Sequence, residues 1–476
     1  MRGKALLLWE TWCCETHKNT KEKGTSRVKR NLTRPTLSVT ADGRGVAAHA
    51  GTRLLAEMAD ATGLTTALSE AMAPTVERRR RHDPGRVLLD LALTVADGGT
   101  ALSDLAVLRD QPALFGAVAS TPTASRVVDD VDSERLAAIR TARASARAAA
   151  WRAGLNPVTS HGPLILDFDA TLLDAASDKA LARPTYKKGF GFFPLLCFLD
   201  ATNEALAGIL RPGNAGANTA ADHIKVLDLA LAQLPVVPNG PNGVAMLVRS
   251  DSAGASHEFI DALRERGIEF SVGFAITEDV RKAIQKLPKK AWSIAIRSDC
   301  SEREGAEVAE LTGLDLKAWP TGTRAIVRRE EPHPGAQFNL FDPDGWRYQV
   351  FICDSTDPDI SYLEARQRGH ARVEDRIRCA KDTGLRRLPF PEFENNACWV
   401  ELVLMAQDLL AFTQGLVLED DLAQAEPKRL RYTVLHTAGR LTTSGRVTTL
   451  RLQKEWPWAK RLADAFTLLR SLTFVT

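Results

Sequence analysis

Three carboxylates in this chain stand where chemistry could be done with them. The first lies in Leu164-Ile165-Leu166-Asp167-Phe168-Asp169-Ala170-Thr171, an apolar run that ends in acids. A buried strand of this kind delivers its carboxylates to the edge of a sheet, where cations can reach them. Asp167 and Asp169 are two residues apart, so an extended chain puts both on one face. A second apolar run, 244–248, ends in Arg249-Ser250-Asp251. If the two strands are neighbours, Asp169 and Asp251 converge, and like charges that close raise each other's pKa unless a cation joins them. The third segment is Arg372-Val373-Glu374-Asp375-Arg376-Ile377-Arg378-Cys379-Ala380-Lys381. On a helix, Glu374, Arg378 and Lys381 fall at i, i+4 and i+7, on one face. Such a face could add a carboxylate to a metal site and hold a phosphate backbone beside it. It equally fits an exposed helix laced with Glu–Arg pairs, which spacing alone does not distinguish.

The elements that must position these acids follow from hydrophobic periodicity. From Gly162 the pattern reads strand (163–168), strand (191–199), strand (204–211), helix (220–234), strand (243–249), helix (257–266) and strand (268–276). Three meandering strands followed by helix-linked ones predict a mixed sheet with helical cover, an α/β architecture. Residues 293–353 read as a β-rich insertion, with strands at 324–328 and 346–353 and turns such as Asp342-Pro343-Asp344-Gly345. Helix returns at 362–381 and 396–413. Ahead of the sheet, residues 44–155 are rich in Ala, Leu and Arg and read as short helices, at 52–71, 85–96 and 102–109. Thr121-Pro122-Thr123 supplies a start signal for another near Ala124. The cluster Arg78-Arg79-Arg80-Arg81-His82 between helices suits a solvated loop or a phosphate-contacting turn.

A chain of 476 residues exceeds one compact core, so two or three domains are expected. Hydrophobic content of 44% and charged content of 25% are those of an ordinary soluble protein. A net charge of +3 argues neither for nor against a polyanionic partner, because phosphate contacts need local clusters. One such cluster is the tail: from Pro427 onward there are ten Lys/Arg against two Asp/Glu, with Trp456-Pro457-Trp458 among them. Seven cysteines, an odd count without a CxxC pair, argue against a disulfide framework or a structural zinc site and predict a reduced, intracellular chain. Cys197 and Cys353 sit in apolar runs and are expected to be buried thiols. The run Ala5-Leu6-Leu7-Leu8-Trp9 is broken by Glu10 and makes no signal peptide. No apolar stretch reads as approaching the roughly 20 residues of a membrane span. His223, His257 and His436 look isolated, as surface or packing residues, and Trp292, Trp346 and Trp399 look like core.

Taken in order, these blocks resemble the DDE transposases of bacterial insertion sequences, in the cut-and-paste branch with a β-rich insertion between the second Asp and the Glu. The matching blocks are Asp169-Ala170-Thr171, then Tyr186-Lys187-Lys188-Gly189-Phe190-Gly191-Phe192-Phe193-Pro194 and Leu210-Arg211-Pro212-Gly213-Asn214, then Val248-Arg249-Ser250-Asp251-Ser252. The last is Arg372 to Arg378 with Lys381, and together they span roughly residues 40–475. The strand order above is that of the RNase H-like fold. The resemblance implies four parts: a disordered basic leader at 1–40, a helical DNA-binding domain at 41–158, an RNase H-like catalytic domain at 159–413, and a basic C-terminal region at 414–476. It implies Asp169, Asp251 and Glu374 as catalytic ligands of two Mg²⁺ ions, with Mn²⁺ able to substitute and Asp167 as an alternative ligand. DNA contacts would come from Arg378, Lys381, Arg372, Lys187 and Lys188. The implied partners are double-stranded DNA, at element ends and target, and a second copy in a homodimeric synapse; no membrane is involved. The implied setting is the bacterial cytoplasm, on the nucleoid when DNA is bound.

The implied reaction is two-metal phosphoryl transfer, in which water frees a 3′-OH at the element's end and that hydroxyl attacks target DNA. Relatives in the broader branch carry Tyr seven and Arg four residues before the Glu. Here those positions are Gln367 and His370, and Arg366, Arg368 and Arg372 could supply the basic contacts instead. Two other readings stand beside this one. Asp167-Phe168-Asp169-Ala170-Thr171 fits the Asp-x-Asp-x-Thr of haloacid-dehalogenase-type phosphatases, with Asp167 as nucleophile, although three consecutive strands after the motif do not suit that fold. A DNA-binding relative without cleavage activity is the other.

Overall fold

The computed structural model describes residues 37–73, 81–158, 162–175, 178–238, 243–332 and 345–474. The leader up to residue 36, the basic residues 78–80 and the turn residues 342–344 lie outside them. Packing divides the chain into two units, Met1–Arg44 and Gly45–Thr476. The described part of the first, 37–44, is exposed, with Thr40 donating to Asp42 at 2.5 Å. Everything below concerns the second unit.

Helices come first: α1 (Thr52–Ala61), α2 (Leu64–Met72), α3 (Pro84–Ala96), α4 (Thr121–Asp129) and α5 (Ser133–Ala150). The expected 52–71 helix is two, because Gly63 adopts a left-handed φ of 78° between them. Asp83 caps α3 by accepting the Arg86 N–H, and Pro84 occupies the first helical position. The 102–109 segment is a 3-10 turn, Leu102–Leu105, followed by one turn of helix, Ala106–Arg109.

The sheet follows the predicted order: β1 (Leu164–Ala170), β2 (Leu195–Leu199), β3 (Ala205–Ile209), α6 (Ala220–Leu231), β4 (Met246–Ser250), α7 (His257–Glu265) and β5 (Glu269–Phe274). β1, β2 and β3 meander antiparallel, whereas β4 pairs parallel to β1 and β5 parallel to β4. Parallel neighbours need a crossover, which α7 supplies between β4 and β5. The order β3-β2-β1-β4-β5 is the RNase H-like one. The insertion does not form a separate body. Its strands β6 (Ser293–Ile296), β7 (Glu302–Glu310), β8 (Arg324–Glu330) and β9 (Arg347–Cys353) run antiparallel and join β5 through β9. One nine-stranded sheet results, β6-β7-β8-β9-β5-β4-β1-β2-β3.

After the insertion come α8 (Ile360–Arg368) and α9 (Arg372–Ala380), separated by a 3-10 turn at Gly369–Ala371, where periodicity predicts one helix. The 25-residue α10 (Phe393–Val417) corrects the sequence-based expectation about apolar runs, since it is long and apolar enough to cross a membrane. Here 83% of an apolar 18-residue window of that helix is buried within the protein. It packs against α1, α3, α5 and β3, and a continuous apolar core runs from the helices through it to the sheet. Its two buried acids are neutralised from α5. Asp408 receives Arg143 at 2.7 Å and Arg147 at 2.7 Å, Glu401 pairs with Arg143, and Arg147 also reaches Glu204 at 2.8 Å. The chain closes with a hairpin, Gly439–Ser444 and Val447–Leu452, paired to Val46–Ala47, and with α11 (Ala459–Ser471). Cys197 and Cys353 are buried free thiols, as their apolar surroundings predict.

Candidate active site

Parallel pairing of β1 with β4 sets Asp167 opposite Arg249 and Phe168 opposite Ser250. One residue further along, Asp169 and Asp251 stand at the C-terminal ends of neighbouring strands, where α/β sheets place their ligands. Asp169 spends one carboxylate oxygen on the Ala170 N–H at 2.7 Å, and Asp251 one on the Ala253 N–H at 2.9 Å. Asp251 thereby caps the short turn Ser252–Gly254. Close approach of β5 depends on Gly273, where a Cβ would meet the Ser252 nitrogen at 2.8 Å and the Asp251 carbonyl carbon at 3.0 Å.

Glu374 sits in the first turn of α9, exposed, and α9 lies against β1. A cleft of ≈ 390 Å³ is lined by Asp251, Gly273, Gln367, His370 and Glu374 together. Asp169 is not part of that lining but stands within electrostatic reach of Asp251 and Glu374. Burial pushes its carboxyl up to about 6, and the charges of Asp251 and Glu374 push the same way, with His370 opposing. The structure therefore brings all three acids together. Among the described residues, the ligand atoms of the three do not all come within 4.8 Å of one another.

Beneath them lies a layer of buried charge. Arg249 grips Asp167 with two hydrogen bonds of 2.8 Å, Arg376 adds one at 2.9 Å, and the His370 Nδ1 lies 3.1 Å away. Burial alone would raise the Asp167 carboxyl, but the hydrogen bonds and charges of His370 and Arg249 outweigh it and hold it below the usual range. Asp200 extends the layer, pairing with Arg376 at 2.6 Å, Arg372 at 2.5 Å and Arg249 at 3.2 Å. Each acid has a partner here two residues away in sequence: Asp167 for Asp169, Arg249 for Asp251, Arg376 for Glu374. The α8–α9 joint must be bare for this to close. A Cβ on Gly369 would stand 2.6 Å from the Arg249 Nη1, which donates to the Arg366 carbonyl at 2.6 Å.

This layer corrects the assignment of Asp167 as an alternative metal ligand, because both of its oxygens are already taken by cations. Gln367 and His370, the departures from the family's Tyr and Arg, are also accounted for. Gln367 donates to the Ser250 carbonyl at 3.2 Å, just ahead of Asp251, and His370 faces Asp167. Arg366 lies 3.8 Å from Glu269, and Arg368 is paired with Glu364.

The basic residues divide. Lys381 lies within electrostatic reach of Asp169, Asp174 and Lys187, with burial lowering its pKa. Lys187 and Lys188 are exposed in the turn between the short strands Arg183–Pro184 and Phe190–Phe192. Arg378 does not join them: Glu426 holds it at 2.8 Å and Asp375 at 2.9 Å. The backbone stays helical through Lys381, so Glu374, Arg378 and Lys381 keep their helical spacing, but Glu426 captures the Arg378 guanidinium. Arg372 is likewise held by Asp200. Sequence alone does not mark Arg249, Arg376, Gln367 and His370 as parts of one supporting layer. The signal that could have found it is the pairing register, which sets an acid beside an arginine on adjacent strands.

Residues 29–474 match the family described as Transposase DDE domain group 1. No curated protein matches the sequence. Among solved structures the chain is similar to a cryo-EM structure of a piggyBac transposase synaptic complex with hairpin DNA. That similarity has 9% sequence identity and a TM-score of 0.40, and covers 84% of this chain and 82% of that one.

Proposed function

This chain belongs to the Transposase DDE domain group 1 family, and from that premise we propose that it cuts DNA at the ends of a mobile element and joins them to a target. Asp169, Asp251 and Glu374 are the catalytic acids in this reading. The observation that carries it is that Asp251 and Glu374 line one cleft within electrostatic reach of Asp169, whose carboxyl is held at about 6 by burial and by the other two charges. Such a group is short of positive charge. Three carboxylates without a nitrogen or sulfur donor suit hard cations such as Mg²⁺ or Mn²⁺. Two such ions, held by these acids, would supply the positive charge that stabilises the attacking and leaving oxygens of an in-line displacement.

The chain's own residues do the rest. Asp167, Arg249, Arg376 and His370 fix the strands and helix that carry the acids, so their spacing is set before DNA arrives. Lys187 and Lys381 hold phosphate at the rim. Double-stranded DNA is the substrate, and two copies of the chain pair its ends. The phosphatase reading loses its nucleophile, since Asp167 is fully buried among arginines and no substrate phosphorus can reach it.

The test is cleavage of a labelled duplex carrying the element's end, in Mg²⁺, by wild type and by Asp169→Asn, Asp251→Asn and Glu374→Gln. Each variant is expected to bind the duplex and leave it uncut. A variant that cuts at the wild-type rate removes its residue from the site. A wild type that binds and never cuts identifies a binding-only relative.

A further inference from the structure

A second group of ligand atoms lies away from the acids, at the junction of three segments distant in sequence. His49 precedes α1, Asp97 ends α3, and His436 follows the turn Arg431–Leu435. Among the described residues this is the one His/Cys/Asp/Glu trio whose ligand atoms all lie within 4.8 Å of one another. The His49 Nδ1 is 2.6 Å from the Asp97 Oδ2, and the His436 Nε2 is 3.4 Å from its Oδ1 and 3.0 Å from its backbone carbonyl. The two rings lie 4.1 Å apart, centroid to centroid. In the sequence His436 looks isolated; the structure corrects that, and cysteine spacing cannot reveal a site built from His and Asp.

We propose that His49, Asp97 and His436 form a binding site for a divalent transition-metal ion of the Zn²⁺ class. The donor set is two imidazoles and one carboxylate, which suits Zn²⁺ and its neighbours and disfavours Mg²⁺. Tetrahedral zinc with ligand bonds of about 2.0–2.1 Å separates its ligand atoms by roughly 3.3 Å, and the observed distances bracket that value. The ion takes the place of the proton shared between His49 and Asp97.

Three features support a built site rather than a chance meeting. The backbone holds the two histidines in register, with the Ala50 N–H donating to the Thr437 carbonyl at 2.9 Å and the Gly51 N–H to the Leu435 carbonyl at 3.1 Å. The carboxylate has the outer support that metal ligands carry, since the Thr52 hydroxyl donates to the Asp97 Oδ1 at 2.5 Å. The Asp97 side chain is 4% exposed, and its close partners are two imidazoles and a hydroxyl, not a lysine or arginine. The nearest permanent cation, the Arg431 guanidinium, acts on Asp97 and His436 only through its charge. The histidine side chains are 28% and 37% exposed, which leaves the ion an open position for water. Bound there, it would staple the entry to α1, the end of α3 and the C-terminal region, and its binding energy would add to folding.

The metal-free full chain, titrated with Zn²⁺ and with Co²⁺, tests this. Wild type should take up an ion whose X-ray absorption shows two imidazole ligands and should melt at a higher temperature with Zn²⁺ present. Uptake should survive in the Asp169→Asn/Asp251→Asn double variant and disappear in His49→Gln and in His436→Gln. Thr52→Val should weaken it by about 10–100-fold. The idea is overturned if uptake persists unchanged in both histidine variants, or if it vanishes with the Asp169→Asn/Asp251→Asn pair. Should the histidine variants misfold, the wild-type spectrum decides: two imidazoles support the site, and oxygen ligands alone refute it.

Discussion

A carboxyl group held at about 6 is one whose charge the folded protein resists. Its folded pKa lies above the ordinary value of 3.8, so it contributes stability that is present below about pH 4 and lost as pH rises through about 6. Without divalent ions, Asp169→Asn is therefore expected to melt above wild type at pH 7, and the gap should close towards pH 4. Adding Mg²⁺ should close it at pH 7 as well, by stabilising wild type. A gap of equal size at both pH values would show that the Asp169 charge is not its source. Asp167 works in the opposite sense, because its charge is wanted where it lies. Asp167→Ala strands Arg249, Arg376 and His370, and breaking a buried pair costs about 3–5 kcal/mol. Chemical denaturation should show a loss of that size, and cleavage should fall without vanishing. Full cleavage by Asp167→Ala would deny the layer any role in positioning the acids. The three acids are legible in the sequence because acids at the ends of apolar runs are conspicuous. Arg249 and Arg376 are not, since a charge two residues from an acid looks like a surface charge until the register turns it inward.

Among the elements, the C-terminal hairpin carries a conflict of charge. Arg440 stands directly opposite Arg451 in its register, with Arg446 exposed near the turn. Like charges facing across a strand pair are destabilising, and a phosphate backbone would relieve them. Replacing the three arginines should flatten the dependence of DNA affinity on salt, by about 0.9 in the log–log slope for each phosphate no longer neutralised. Lys187→Ala and Lys381→Ala should do the same, whereas Arg378→Ala should leave the slope alone because Glu426 already holds that side chain. Salt titrations by fluorescence anisotropy read all of these, and identical slopes throughout would remove the hairpin and the rim from the DNA surface. Strand order is legible because apolar runs of strand length alternate with helical ones. β7 does not stand out, since Glu302, Arg303, Glu304, Glu307 and Glu310 mask a strand that buries Ala306, Val308 and Ala309. The break at Gly369–Ala371 has no proline to announce it; what demands it is the Arg249 guanidinium beside Gly369.

At the scale of the whole molecule, the helical layer and the sheet share one apolar core and one buried ion network. Far-UV circular dichroism and tryptophan fluorescence should report coincident urea unfolding of the two layers. Arg147→Ala, which leaves Glu204 without its cation and Asp408 with Arg143 alone, should shift that transition by about 3–5 kcal/mol. Two separated transitions would mean that the layers fold independently. The shared core is hidden from the sequence, because periodicity shows which face of a helix is apolar but not what covers it.

The place of the insertion also has a consequence in time. Strands β6 to β9 lie between Asp251 and Glu374 in the chain, so roughly 120 residues leave the ribosome between those two acids, an interval of about 6–24 s at ordinary rates of synthesis. During it β1 and β4 can pair and Asp167 can meet Arg249, but neither Arg376 nor Glu374 has yet been made. Chains arrested ahead of Arg372 are expected to be inert in the cleavage assay, however well their strands have formed. On the proposed function, a site assembled in this order stays inert throughout its own translation, and an abandoned fragment of the protein would pose no hazard to the genome that encodes it.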